Sequence, residues 1–408
     1  MTSEISEIAK NVAQLVSAIA EGADNPAVIE EAFKGNESLQ DILRETLRLD
    51  EEYGDIAALD GVLSLADADV VQAYADVCVR GWNPDFRPSL PAIAVAELNR
   101  IHGRDFAEYD ARELSGLDKA AVMVAARAEM IKGEAPTDAR KEQQNAYHNG
   151  VHTGHVGVAA GLLSSANNAL VAEGKSNITL TPDERLVIMI AAFAHDIDHG
   201  GGANPAGDIY HFEEKSFEAA KPLLEACDLT QNQMEQIHSM IRTTSPNGPH
   251  SFLKSVAKFY QTGEKPDITE IDPDNKFPEL HQMAKDERLV QMAAILSDSD
   301  LFGSAATKRA GNRVQAQKLT KEMRSSGIDV DDFATDKSLT GFANFVMGEG
   351  FTSYAGQAHG NHNFITMLAE AKANLALGDP PVSMEDAVVG KGAEAVQTRP
   401  PFSRETKK

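Results

Sequence analysis

Four of the five residues in His195-Asp196-Ile197-Asp198-His199 are ionisable, and they follow directly on an unbroken apolar run from Leu186 to Ala194. Burying imidazoles and carboxylates at that density is prohibitive unless something compensates them, and a divalent cation does so most directly. Capping of a helix end, with ion pairing to one another or to lysines, accounts for the same residues, and one such motif supports both readings. A second histidine pair, His148 and His152, has the spacing of neighbours on one helical face. Asp300 extends an apolar stripe formed by Leu289, Ala293 and Leu296, whereas Asp298 points off that stripe. Asp300 is either a ligand or a helix-end aspartate, and His155 is read as an ordinary hydrogen-bonded side chain. Two histidines and two aspartates from three separate segments suit zinc or another imidazole-binding transition metal with open positions for water or substrate.

The elements that carry these groups read as helices. Thr181-Pro182-Asp183-Glu184 supplies an N-cap, a proline at the first helical position and a capping-box glutamate ahead of the apolar run. A helix apolar on all sides belongs in a core. A long helical pattern is expected from Thr137 to about Val171, interrupted by Gly150, Gly154 and Gly157. Each glycine weakens a helix by about 1 kcal/mol relative to alanine, so close approach of another helix or a ligand is the expected return. Further helices are expected over Ser89–His102, Lys119–Lys132, Glu213–Ala226, Thr230–Thr244, from near Asp286 through Asp300, and Phe351–Leu377, while Lys308–Ser326 reads as a polar, basic, solvated helix. Gln261–Pro278 reads as a surface loop. No alternating β pattern of useful length occurs, so the fold class is all-α.

The chain has 408 residues, and its 62 acidic against 38 basic side chains leave a net charge of −24. That balance excludes a nucleic-acid polymer as partner and requires metal cations for any phosphate chemistry. The two cysteines, Cys78 and Cys227, form neither a disulfide framework nor a metal-ligand spacing. The first residues carry Glu4 and Glu7 where a signal peptide carries basic residues, and no apolar run reaches membrane-spanning length, so a cytoplasmic location without membrane contact is expected. Three regions are expected: an acidic helical segment over 1–66, a catalytic domain over 67–377 and a flexible tail over 378–408.

Taken together, Tyr147-His148-Asn149-x-x-His152, His195-Asp196-x-Asp198-His199-x-Gly201-x-x-Asn204 and Ile295-Leu296-x-x-x-Asp300 resemble, in order and spacing, the class I cyclic nucleotide phosphodiesterases of the HD-domain superfamily. The resemblance spans roughly Val70 to Leu377. It implies a compact multi-helix fold with a metal site between helices, and hydrolysis of a 3′,5′-cyclic nucleotide such as cAMP or cGMP, as used in signal transduction, to the 5′-monophosphate. It further implies that His152, His195, Asp196 and Asp300 hold a tight metal, usually zinc, that Asp196 bridges to magnesium or manganese, and that the metals activate a hydroxide. By the same resemblance His199 orients waters, Glu213 and Thr243 support the second metal, and Asn361 and Phe364 hold the base. The leaving 3′ oxygen needs a proton from a group not tied to metal, and His148, one turn from His152, is the expected general acid. A homodimer is compatible with it. The chain departs from the family pattern at Gly200, at Lys215 and Ser216 where the family has paired histidines, and at Asn361 where it has glutamine. Another nucleotide or phosphoester as substrate, or a catalytically weak nucleotide sensor, are the alternative readings.

Overall fold

In the structure, a computed structural model, residues 70–71, 73–74, 89–104, 113–129, 145–246, 248–307, 309–348 and 350–377 are described. The expected N-terminal segment over 1–66 and the tail over 378–408 lie outside them. Among the described residues there are helices and no strands, as the absence of β alternation implied. They are α1 (Leu90–His102), α2 (Gly116–Ala128), α3 (Gly150–Ala172), α4 (Pro182–Ala194), α5 (His211–Ala226), α6 (Gln231–Arg242), α7 (Pro249–Gln261), the single turn α8 (Ile268–Ile271), α9 (Glu287–Ala305), α10 (Arg309–Ser325), α11 (Asp336–Phe342) and α12 (Tyr354–Leu377). A π-turn over Ala343–Met347 continues α11. None of the described helices is long and apolar enough to cross a membrane.

The centre of the fold is α4. Thr181 and Glu184 form the expected capping box, and every residue from Leu186 to Ala194 is buried. Helices α2, α3, α6 and α9 surround it. The glycines of α3 permit that packing: a Cβ on Gly157 would stand 2.8 Å from the Phe193 ring of α4, and one on Gly154 3.3 Å from Leu90 of α1. Their helix-propensity cost therefore allows close approach of neighbouring helices.

Two buried polar groups fix the helices around the later site. Glu97 of α1, 1 % exposed, accepts from Arg100 and from Arg185 of α4, and Arg100 also donates to the Gly161 carbonyl of α3. Asp298, wholly buried on α9, accepts the Thr352 and Ser353 backbone N–H groups at 2.8 and 2.7 Å. It thereby ties α9 to the start of α12. The aspartate that points off the apolar stripe thus joins two helices, and burial raises its pKa to about 6 against those hydrogen bonds.

Candidate metal and active site

Helix α3 begins later than its sequence pattern suggests. Asn149 is the N-cap, its side chain accepting from the Val151 and His152 N–H groups, and residues 146–149 form bends. His148 therefore lies ahead of the helix and His152 in its first turn. Helix α4 in turn ends at Ala194, with a turn over residues 195–198. The expectation that each pair shares one helical face is corrected at both places: the N-cap and the turn separate the partners, and the four histidines divide into two groups.

The first group is His152, His195, Asp196 and Asp300. His152 Nε2 stands 3.2 Å from Asp196 Oδ2 and 3.1 Å from Asp300 Oδ1, and His195 Nε2 stands 3.2 and 3.8 Å from the same two oxygens. The three shorter separations are within hydrogen-bond reach, yet His152 Nε2, His195 Nε2 and Asp196 Oδ2 are buried without a hydrogen-bond partner. Their separations match the edge of a tetrahedron of ligands, about 3.3 Å for metal–ligand bonds of about 2.0 Å. His195 Nδ1 is 2.9 Å from the Ala192 carbonyl. A proton on Nδ1 leaves the Nε2 lone pair facing the cluster. Burial opposes charge on both imidazoles, but the facing carboxylates raise His152 and His195 above the usual value. Burial likewise opposes charge on Asp196 and Asp300, and the same histidines hold both below the usual carboxylate range. Two carboxylates and two neutral imidazoles balance one divalent ion, so the donor set fits a metal in both charge and spacing.

The second group is His148, His199 and Glu322. The His148 and His199 rings stack with centroids 3.8 Å apart, and His199 stacks on Phe212 at 4.2 Å. His199 Nδ1 accepts the Gly201 N–H at 3.1 Å, so in the neutral ring the proton is on Nε2. Glu322, wholly buried on α10, accepts the backbone N–H groups of Tyr147 and His148 at 2.8 and 3.0 Å and also contacts His148 Nδ1. Burial raises its pKa, and these hydrogen bonds outweigh burial and bring it down to about 2. The three donors could hold a cation by proximity, but stacked imidazoles direct their in-plane lone pairs side by side. A histidine whose Nδ1 is held by a carboxylate is better arranged to move a proton at Nε2. The sequence reading missed Glu322 because Lys308–Ser326 looked solvated. The structure corrects that: Asn312, Gln315, Thr320 and Glu322 of α10 are buried. The spacing of Gln315, Leu319 and Glu322 at i, i+4 and i+7 was the available signal.

Glu213 sits in the first turn of α5, and Asn204 donates to it at 3.0 Å. Burial lifts its carboxyl to about 7, with the Asn204 hydrogen bond and others opposing. The hydroxyl beside it is that of Ser245, which lies 3.4 Å from Asn204 Nδ2 and donates to the Ile209 carbonyl at 2.7 Å. Thr243, the expected supporting residue, instead donates to the Met240 carbonyl at the end of its own helix. The helix stops at Arg242, and the two further residues place Ser245 at Asn204. Asn361 Oδ1 accepts the Phe351 N–H at 2.8 Å, and Phe364 is 1 % exposed within the core. The Phe364 ring, expected to stack on a base, faces the bundle interior from α12.

No family model matches the chain, and no curated protein matches it. Among solved structures, a structure of LmjPDEB1 in complex with IBMX aligns over 69 % of this chain and 97 % of its own, at 18 % identity and a TM-score of 0.42. The phosphodiesterase domain of the RhoPDE fusion protein from the choanoflagellate Salpingoeca rosetta aligns over 83 % of this chain and 97 % of its own, at 19 % identity and a TM-score of 0.43. A second structure of that organism's rhodopsin phosphodiesterase domain covers 82 % of this chain and 94 % of its own, at 19 % identity and a TM-score of 0.41.

Proposed function

We propose that the chain is a metal-dependent phosphodiesterase that hydrolyses a 3′,5′-cyclic nucleotide to its 5′-monophosphate. The observation that carries this reading is the convergence of His152, His195, Asp196 and Asp300, with buried unpartnered donor atoms, beside a histidine held by a carboxylate. These four residues would hold a zinc-like ion, and Asp196 together with Glu213, whose carboxyls interact electrostatically, would contribute to a second site for magnesium or manganese. Bound divalent ions neutralise phosphate oxygens and make water acidic enough to attack near neutral pH.

The chain's own residues supply the rest. His148, protonated at both nitrogens, keeps Nδ1–H on Glu322 and gives the Nε2 proton to the departing 3′ oxygen as the P–O3′ bond breaks. Water adds its oxygen to phosphorus and releases one proton to solvent, from which His148 is re-protonated, leaving a free 3′ hydroxyl and a 5′-monophosphate. His199, held between His148 and Phe212, presents Nε2–H to water or a phosphate oxygen. A substrate other than a purine cyclic nucleotide is the second reading, favoured by the buried Phe364 and by the Asn361 side-chain oxygen being engaged by the Phe351 N–H.

The test is hydrolysis of a panel of cAMP, cGMP, other nucleotides and a generic phosphodiester by purified protein. Conversion of a cyclic nucleotide to the 5′-monophosphate, abolished by chelation, is the expected result. His148→Asn is expected to keep its metal and lose about 10²- to 10⁴-fold in turnover. Turnover of other phosphoesters alone moves the assignment to another HD-type phosphohydrolase, and no turnover with nucleotide bound moves it to a sensor.

A further inference from the structure

Helix α10 crosses from the end of α9 to the acid histidine and is anchored at both ends. At its far end Glu322 holds the Tyr147 and His148 backbone and the His148 ring. Ser326, just beyond it, packs on the loop after His199, where a Cβ on Gly202 would come within 3.1 Å of Ser326 Cβ. At its near end Arg309 donates to Asp336 Oδ1 through Nη2 at 2.6 Å and Nε at 3.0 Å, with Arg313 3.5 Å from Oδ2. Asn374 of α12 donates to the same Oδ2 at 3.0 Å, and Asn312 donates to the Ser304 carbonyl of α9 at 2.8 Å. Asp336, 1 % exposed, is thus the point where α10, α11 and α12 are joined.

The lever is long. From Arg309 to Glu322 the helix runs about 20 Å, so a tilt of about 3° at the anchored end moves the Glu322 carboxylate by about 1 Å. A displacement of that size in a catalytic group costs on the order of 100-fold.

We infer that Asp336 is a positioning residue for the acid step: by pinning the start of α10 to α11 and α12 it sets where Glu322 holds His148. This rests on the phosphodiesterase reading above. It separates from a general structural role because only a leaving group that needs a proton depends on the acid. The 3′ alkoxide of a cyclic nucleotide needs one, and the nitrophenolate of bis(p-nitrophenyl) phosphate does not.

The experiment is steady-state kinetics of the metal-replete full chain, as wild type, Asp336→Asn and Asn374→Ala, on both esters. For Asp336→Asn, kcat on the cyclic nucleotide is expected to fall about 10- to 100-fold with KM within about threefold, while kcat on the aryl ester stays within about threefold. Asn374→Ala, which removes one contact and spares the buried charge, is expected to show the same selective loss at smaller size; it carries the test if Asp336→Asn does not fold. Equal losses on the two esters, or none, overturn the inference while leaving the phosphodiesterase reading intact. A wild type that hydrolyses neither ester sinks that reading and this inference with it.

Discussion

Glu213 shows what burial near another carboxylate does to a single side chain. Its carboxyl is buried and lifted to about 7 from an ordinary 4.5, with the Asp196 charge among the causes. The folded state therefore holds this proton more tightly than the unfolded chain. Below about pH 4.5 both states are protonated; between pH 4.5 and 7 the unfolded chain ionises first, and stability falls as pH rises through that window. In metal-free protein, Glu213→Gln is expected to remove this loss, gaining no more than about 3 kcal/mol over wild type at neutral pH in denaturant titrations. Equal pH slopes for the two proteins would contradict it. Part of this scale was legible in the sequence: residue types marked His152, His195, Asp196 and Asp300 as candidates and the motif resemblance grouped them, while spacing alone paired each histidine with a different partner; the four side chains converge in the fold. Ser245 was not, because Thr243 and Ser245 differ only in how the chain leaves α6, which the hydroxyl pattern does not encode.

At the scale of elements, the site depends on where three helices begin and end. Asn149 starts α3 one residue before Gly150, leaving His148 in the preceding bend, and α4 stops just before His195. Spacing on an ideal helix assigned both histidine pairs to shared faces; the caps decide otherwise. The capping boxes at Thr181 and Thr230 and the proline near the start of α1 lie where the sequence placed them, since each is a local interaction. Helix α10 was misread because its buried face is polar, and a polar stripe looks the same whether it meets water or a histidine. Glu322→Gln keeps the shape but weakens the hold on the His148 ring. It is expected to retain metal while lowering cyclic-nucleotide turnover by at least about tenfold, and unchanged turnover would remove Glu322 from the acid dyad. The glycine contacts have their own check: Gly157→Val must displace Phe193 and is expected to lower stability by about 1 to 3 kcal/mol. An unaltered unfolding midpoint would show that α3 and α4 can separate without cost.

For the molecule as a whole, an all-helical body encloses α4, and the chain's net charge of −24 gives an anionic substrate no general attraction. Any affinity for a phosphodiester has to come from local cations, and the fold gathers two imidazoles and two carboxylates at one point where α3, α4 and α9 meet. The fold class was readable throughout because helical periodicity and the lack of β alternation persist along the described chain. The joining of α10 to the bend before α3 was not, since it is a contact between residues such as Glu322 and Tyr147 that lie far apart in sequence. The most direct test of the account is the metal content of the full chain, purified without chelator and dialysed against metal-free buffer, compared with Asp196→Asn and Asp300→Asn. The account requires about one tightly held zinc-like ion per wild-type chain and its loss from both variants. A folded wild type that holds no metal, or variants that hold as much as wild type, would contradict it.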